Sequence, residues 1–198
     1  MNLRTLAIET SGPACSIALF DGETVIAHRH ERVGRGHAER LIPWIAALPD
    51  GGRADAILVG CGPGSFTGVR VGVAAARALA LAWGIEAQGF SSLSLIAAAV
   101  EADRFTVTIE GGHGELFVQD FANGPLRALG PVASLAPAAA EERTLPVVID
   151  SAEPDARLAL SLPEALRTLP PVPIYGRGAD AKPLPGNAAG RVAGPMAT

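Results

Sequence analysis

A row of small residues at every fourth position, from 64 to 84, constrains this chain more than any other feature of its sequence. Its members are Gly64, Gly68, Gly72, Ala76, Ala80 and Gly84. Residues four apart lie on the same face of a helix, so the spacing predicts a helix over about 67–83 with one smooth face. Glycine inside a helix costs about 1 kcal/mol relative to alanine, which indicates that another element approaches that face closely. That element is the chain's own sheet, another helix or a second protein.

The loop before this helix, GCGPGSFTGVRVG at 60–72, is rich enough in glycine to suggest a phosphate-binding loop. A P-loop requires G-x-x-x-x-G-K-[ST], whereas Gly64 and Gly68 have a different spacing and no lysine follows them. A dinucleotide fingerprint requires G-x-G-x-x-G, and Thr67 occupies the place of its third glycine. Spacing alone favours close packing over phosphate binding by roughly three to one. An anion held by free amides at the helix N-terminus stays as the alternative.

Polar residues near this loop are the candidates for contacting such an anion or a nucleotide. They are Glu9, Ser11, Ser65, Thr67 and Arg70. Arg70 lies in the first helical turn, where the helix dipole disfavours a cation unless a negative group is close. Ser65 and Thr67 are also candidate helix caps. Glu9 and Glu110 end equivalent strands and could together hold magnesium through water, although each carboxylate capping its own turn is the simpler interpretation.

Alternating apolar residues and turn signals predict the order βββαβα for the first hundred residues. The expected elements are strands at 3–9, 14–20 and 23–30, helix one at about 38–48, a buried strand at 56–61, helix two, a strand near Ala87 and a helix at 92–100. Asp21 and Gly22 form a strong hairpin signal. Beyond residue 100 we expect helices near 133–142 and 155–167 and a strand at 147–150.

The second half begins like the first. Residues 5–23 and 106–124 each contain a strand that ends in Ile-Glu, a turn of small residues, a second strand that ends in Phe, and a hairpin turn with glycine. We interpret this as a weak internal duplication. Two unrelated hairpins that happen to look alike are the alternative.

The composition is typical of a soluble, well-packed protein. Of 198 residues, 48% are hydrophobic and 18% are charged, and the net charge is −4. Nucleic-acid binding depends mainly on lysine and arginine, so an acidic chain of this kind is a poor nucleic-acid binder by itself. The most apolar stretch, 69–85, is interrupted by Arg70, Arg77 and glycines, and we expect no membrane span. The N-terminal apolar run alternates like a strand, unlike a signal peptide.

Cysteine and histidine residues give weak signals for a metal site. The two cysteines, Cys15 and Cys61, lack a C-x-x-C spacing and are expected to be buried free thiols in a reducing cytoplasm. His28 and His30 alternate on a strand, so both imidazoles face one side, and His37 follows closely. No acid or cysteine near them completes a ligand set, so solvated histidines are favoured, no metal is expected, and a metalloprotease is a remote alternative.

Four segments resemble the bacterial TsaB (YeaZ) family, the partner subunit in making threonylcarbamoyladenosine on tRNA. They are LAIETSGPACSIAL at 6–19, HAERLIPWI at 37–45, GPGSFTGVRVGVAAARALA at 62–80 and SSLSLIA at 91–97. The similarity is close over residues 3–100, weakens through the second half and returns at YGRGADAKP, 175–183. The GPGSFTGVRVG segment is the most specific of these motifs.

The resemblance implies an α/β fold of the actin/sugar-kinase/Hsp70 (ASKHA) type, built from two related βββαβα halves of which the second is reduced. The first half would span 1–100, the second 101–180, and a flexible tail 181–198. It also implies a cytoplasmic, non-catalytic subunit that supports the catalytic homologue TsaD in adding threonylcarbamoyl to adenosine 37 of ANN-decoding tRNAs. The ATPase TsaE would complete the complex. Such a chain needs no cofactor of its own, because ATP and magnesium act through the partner proteins, and it meets tRNA only through the complex.

The same resemblance implies that the first two long helices, 37–48 and 67–83, bind the partner, or a second copy when the chain is alone. The implied interface residues are His37, Leu41, Trp44, Ile45, Gly68, Val69, Gly72, Val73, Ala76 and Ala80. Trp44 and Trp83 fit a core or an interface equally well. Glu9 and Glu110 stand where the family has aspartate, which argues against direct magnesium–nucleotide binding. A small ATP-dependent phosphotransferase of the same fold is the alternative.

Overall fold

The computed structural model describes residues 2–111, 114–143, 145–148 and 153–176 of the chain. The elements of the first half are β1 (Arg4–Glu9), β2 (Ala14–Asp21), β3 (Thr24–Arg32), α1 (His37–Ala46), β4 (Ala56–Gly60), α2 (Phe66–Trp83), β5 (Glu86–Phe90) and α3 (Ser92–Ala97). Those that follow are β6 (Arg104–Glu110), β7 (Leu116–Ala122), β8 (Arg127–Ala128), β9 (Ala133–Leu135), α4 (Pro137–Glu141), β10 (Val147–Val148), a 3₁₀ segment (Ala156–Ser161) and α5 (Glu164–Arg167).

The first half is a five-stranded sheet in the order β3-β2-β1-β4-β5. β1 pairs antiparallel with β2 and parallel with β4, and the predicted hairpin turn at Gly22, with φ of +59°, joins β2 to β3. β1 and β2 are buried on both faces, which explains their continuous apolar sequence. The predicted order of elements in this half is confirmed.

The second sheet repeats the central part of the first. β6 pairs antiparallel with β7 and parallel with β10, as β1 does with β2 and β4. On the outer edge of β7, the place that β3 takes beside β2, lie two short strands, β8 and β9. This shared topology supports the internal duplication that the sequence predicts, and α3 packs between the two halves, with Leu93 and Ile96 against Phe105 and Phe121.

Two predicted helices of the second half are wrong. The helix expected at 133–142 is a strand, β9, followed by the short α4, which begins at Pro137 because proline suits the first turn of a helix and not its interior. The helix expected at 155–167 divides into the 3₁₀ segment and α5, since Pro163 lies between them as the N-cap residue of α5. Of the strand expected at 147–150, the described part is Val147–Val148, and the expected tail at 181–198 lies outside the described residues.

Residues 153–176 return to the first sheet, although the resemblance assigns them to the second half. Ala156, Ala159 and Leu162 pack with Phe20 and Phe90 in one buried cluster. Helices α1 and α2 cover the opposite face of the same sheet. The first sheet is therefore enclosed on both faces, with the last described segment forming one of the covering layers.

The small face of α2 packs against the chain's own sheet. A Cβ atom at Gly68 would overlap the carbonyl oxygen of Thr10, and one at Gly72 would overlap Thr10 Oγ1. Thr10 Oγ1 donates a hydrogen bond of 2.7 Å to the carbonyl of Gly68. The spacing allowed three neighbours for this face: the chain's own sheet, another helix or a second protein. The neighbour in the structure is the chain's own sheet, at the end of β1.

One described helix, α2, is long and apolar enough to cross a membrane by length and composition alone. Its 18 residues have a mean hydropathy of 1.2, and 33% of them are buried. The buried part, which includes Val69, Val73 and Ala76, belongs to the core of the first half.

Filling the contact between α2 and β1 should destabilise the protein. Alanine at Gly68 would favour the helix by about 1 kcal/mol, but its methyl group would overlap a backbone carbonyl that cannot change rotamer. We expect a net loss of about 2 kcal/mol in the free energy of unfolding, measured by urea denaturation.

The matched control is Ala74→Leu, which enlarges an exposed position of the same helix and should change stability by less than about 0.5 kcal/mol. Equal stability of Gly68→Ala and the wild type would contradict the close packing of α2 on Thr10.

Candidate functional site

A cleft of about 760 Å³ lies between the two halves and is lined by residues of both. Ser11 and Ser65, two of the predicted anion contacts, line it. Glu110 and Gly111 contribute from the second half, and Tyr175 from the returning segment. The cleft is large enough for a nucleotide-sized ligand.

The glycine-rich loop at the cleft uses its amides within the chain. The Ser65 amide donates to the carbonyl of Ser11 at 2.7 Å, and Ser65 Oγ accepts from the Gly68 amide at 3.2 Å. Ser65 is thus the N-cap of α2, one of its two predicted roles. A Cβ at Gly64 would lie 2.5 Å from the Ser11 carbonyl oxygen. These contacts support close packing as the reason for the glycines, rather than a phosphate cradle.

Arg70, whose position in the first turn of α2 suggested an anion, has other partners. Its guanidinium lies 3.5 Å from the centre of the Phe66 ring and donates a hydrogen bond of 2.9 Å to Tyr175 Oη. A cation over an aromatic ring is stabilised without any anion. Both Arg70 and Thr67 are exposed, and neither belongs to the lining of the cleft.

Glu9 is buried at the end of β1, with 1% of its surface exposed. Its carboxylate accepts hydrogen bonds from the Ser11 amide at 2.5 Å and from Ser92 Oγ at 2.8 Å. It occupies the space where a side chain at residue 60 would stand, which is why Gly60 ends β4. Burial raises the pKa of Glu9, and the hydrogen bonds from Ser11 and Ser92 oppose that rise.

Glu9 and Glu110 do not form a magnesium pair, and Glu9 instead caps its own turn through the Ser11 amide, as the simpler interpretation expected. Glu9 is buried and hydrogen-bonded inside the first half, whereas Glu110 is exposed and lines the cleft. The two carboxylates therefore differ in burial and do not face one cavity. The internal repeat predicted their equivalent positions but not this difference.

The three clustered histidines divide into two groups. His37 is buried, with Nε2 3.3 Å from the carbonyl oxygen of Ala14. His28 and His30 lie on one face of β3, with ring centres 6.2 Å apart, and contact Asp155 and Glu153. Their side chains are 22% and 23% exposed, so they are not the solvated histidines that the sequence favoured. Burial lowers the pKa of His28, although Asp155 opposes this.

Cys15 and Cys61 are free and buried, as predicted. Burial raises the pKa of Cys15 to about 12 and that of Cys61 to about 11. Thiolates are the reactive form of cysteine, so neither side chain is suited to nucleophilic chemistry.

The residues expected at a partner interface are all buried inside the chain itself. The ten of them are the buried residues of α1 and α2, namely His37, Leu41, Trp44, Ile45, Gly68, Val69, Gly72, Val73, Ala76 and Ala80. The apolar periodicity of the two helices predicted that these residues are buried. In the single chain they are buried against the chain's own core. Because these residues pack inside the single chain, their direct contact with a partner stays a prediction.

The opposite side of α2 is exposed and mostly apolar, although Arg70 and Arg77 also lie on it. We call Ala74, Ala78, Leu81 and Ala82 the outer face of α2; all four are exposed, and Leu81 is 86% exposed. Ile42 of the neighbouring α1 is 49% exposed. Trp83 is half-buried under the guanidinium of Arg53. The sequence contains this second row of small residues, at 74, 78 and 82, but it consists of alanine alone and lacks the glycines that mark the first row.

Comparison with known proteins gives consistent matches. A family model for tRNA N6-adenosine threonylcarbamoyltransferase, TsaD, matches residues 25–143. An uncharacterised protein of Mycobacterium tuberculosis, Rv3421c, is 36% identical over 200 residues, covering 90% of this chain and 94% of that protein. TsaB of Escherichia coli, a tRNA threonylcarbamoyladenosine biosynthesis protein, is 36% identical over 128 residues, covering 60% of this chain and 55% of that protein.

Among solved structures, YeaZ from Pseudomonas aeruginosa matches with a TM-score of 0.75 at 26% identity. The match covers 88% of this chain and 100% of that chain. The predicted α/β fold of the ASKHA type is thereby confirmed.

Replacing Glu9 by glutamine should change how stability depends on pH. Because its pKa in the folded protein is raised above the usual 4.5, the protonated carboxyl stabilises the fold fully below about pH 4.5, and this contribution is lost as pH rises through the folded pKa. Glutamine has the same shape and does not ionise. We expect Glu9→Gln to be more stable than the wild type at pH 8, by about 1.4 kcal/mol for each unit of pKa shift.

Urea denaturation between pH 5 and 9 measures this difference, with Glu110→Gln as the exposed control that should follow the wild type. Parallel stability profiles for Glu9→Gln and the wild type would show that Glu9 carries no penalty for ionising.

Proposed function

Because the chain belongs to the TsaD family, and within it to the TsaB (YeaZ) group, we propose that it is a non-catalytic subunit in the biosynthesis of threonylcarbamoyladenosine on tRNA. It binds the catalytic homologue TsaD and supports the transfer of threonylcarbamoyl to adenosine 37 of ANN-decoding tRNAs. The ATPase TsaE completes the complex in the cytoplasm. ATP and magnesium act through these partners, and tRNA is met only through the assembled complex.

The observation that carries this proposal is the uncovered apolar surface of α2. The helix has a mean hydropathy of 1.2, yet only a third of it is buried. Contiguous apolar surface left exposed on a folded domain usually marks an interaction site. Small side chains at Ala74, Ala78 and Ala82 allow a partner helix to approach closely, and Leu81 supplies a large apolar contact.

Charge and chemistry support an accessory role. A chain with a net charge of −4 is a poor ligand for tRNA phosphates, so contact with tRNA through a partner is favoured. Glu9 is enclosed by Gly60, Ser11 and Ser92 and does not reach the cleft where a magnesium–nucleotide would lie.

The second candidate function is an ATP-dependent phosphotransferase, and the cleft is the observation in its favour. Its volume of about 760 Å³ and the presence of Ser11, Ser65, Arg32 and Arg35 in its lining would suit a phosphorylated ligand. Calorimetric titration of the isolated chain with Mg-ATP distinguishes the two functions. Micromolar binding would favour the phosphotransferase, and the accessory role predicts no such binding.

A charge on the outer face of α2 should abolish binding to TsaD without unfolding the chain. Arginine at Ala78, which is exposed, leaves the core untouched but would bury an unpaired charge in the complex. We expect affinity for the cognate TsaD to fall at least thirtyfold, equivalent to about 2 kcal/mol. Size-exclusion chromatography and calorimetry measure the binding, and circular dichroism verifies the fold.

The matched control is Ala139→Arg, which places the same charge on an exposed alanine of α4 in the second half. It should bind like the wild type. Undiminished binding by Ala78→Arg would remove the outer face of α2 from the interface, and loss of binding by both variants would indicate an effect of charge rather than of position.

A further inference from the structure

Two distant parts of the chain bring metal-ligating side chains together at the edge of the first sheet. His28 and His30 alternate along β3, and Asp155 precedes the 3₁₀ segment that packs on the same sheet. One ligand atom from each of the three side chains lies within 4.8 Å of the others. This cluster is separate from the cleft lining and from the outer face of α2, and the proposed function does not use it.

The separation of His28 and Asp155 is one that a shared metal ion would give. His28 Nε2 lies 3.2 Å from Asp155 Oδ1, and two ligands bound to zinc at 2.0–2.1 Å in tetrahedral geometry lie about 3.3 Å apart. Despite this proximity, His28 Nε2 is buried without a hydrogen-bond partner among the described residues. A buried polar atom in that state calls for an explanation, and an unseen ion is one of the usual ones.

The surroundings of the three side chains resemble the outer shell of a metal site. His30 Nε2 lies 3.3 Å from Glu153 Oε2, and its other ring nitrogen, Nδ1, is buried without a hydrogen-bond partner. Metal-ligating histidines commonly bond a carboxylate through one nitrogen and the metal through the other. Asp155 Oδ2 accepts from Arg157 Nη2 at 2.7 Å and Oδ1 accepts from the Arg157 amide at 2.9 Å, and these bonds fix the carboxylate with Oδ1 also beside His28.

Charge at the cluster is compatible with a divalent cation. The two carboxylates of Glu153 and Asp155 offset the guanidinium groups of Arg32 and Arg157, which are their ion-pair partners. The side chains of His28 and Asp155 are 22% and 17% exposed, so the site is enclosed but reachable from solvent.

We propose that His28, His30 and Asp155 bind one zinc-class divalent ion, with a fourth position open to water. Two imidazoles and a carboxylate favour zinc and similar first-row metals over magnesium or calcium, which prefer oxygen ligands alone. The ion ties the segment that begins at residue 153 to β3. That segment carries Tyr175, the partner of Arg70 beside the cleft, so metal binding stabilises one wall of the cleft.

Zinc titration of the full chain, freed of any purification tag, tests the site directly. Calorimetry should show one ion bound per chain, and thermal unfolding should shift upward with zinc, because a ligand that binds only the folded state stabilises it. His28→Gln and Asp155→Asn should each weaken binding more than about tenfold, a loss that removing even an outer-shell partner can cause. Cobalt in place of zinc should give the visible absorption of a low-coordinate site with nitrogen ligands.

The matched control is Arg29→Gln, which lies between the two histidines on β3 and pairs with Glu31 instead. Its zinc affinity should equal that of the wild type. The absence of saturable binding at one ion per chain, or equal affinity in His28→Gln and the wild type, would overturn the proposal. If circular dichroism shows that the ligand variants do not fold, the cobalt spectrum of the wild type tests the site instead. A spectrum like that of aqueous cobalt would also overturn the proposal.

Discussion

The approach of helix α2 to the end of β1 is the contact on which the rest of the structure depends. Gly68 and Gly72 leave no room for a side chain above Thr10, and the Thr10 hydroxyl donates to the helix backbone at Gly68. Since β1 is the central strand of the first sheet, this contact sets the position of α2 relative to the sheet. It also places the Ser65 amide where it donates a hydrogen bond to the Ser11 carbonyl. Both serines line the cleft.

The same contact leaves α2 with two rows of small residues in different surroundings. The inner row of glycine and alanine is buried against the sheet, whereas the outer row at Ala74, Ala78 and Ala82 is exposed. A helix that buries only one of its two smooth sides is suited to a second close neighbour. This division explains how one segment can be essential to the fold of a single chain and also supply the surface that we propose for TsaD.

The sequence predicted more of the first half than of the second. The four-residue spacing predicted α2 and a close neighbour for its smooth face. Spacing within one helix carries no information about which other residue packs against it, so it could not identify Thr10. Apolar periodicity found the buried residues of α1 and α2 and could not tell an internal face from an interface. Pro137 and Pro163 divided two predicted helices. The acids beside His28 and His30 were missed because 123 or more residues separate them along the chain.

We propose that this chain acts through TsaD and performs no chemistry by itself. Reconstituted transfer of threonylcarbamoyl to cognate tRNA, assayed with purified TsaD, TsaE and ATP in the presence or absence of the chain, tests it most directly. We expect transfer only when the chain is added, and none by the chain alone. Equal transfer with and without the chain, or transfer by the chain in the absence of TsaD, would contradict it.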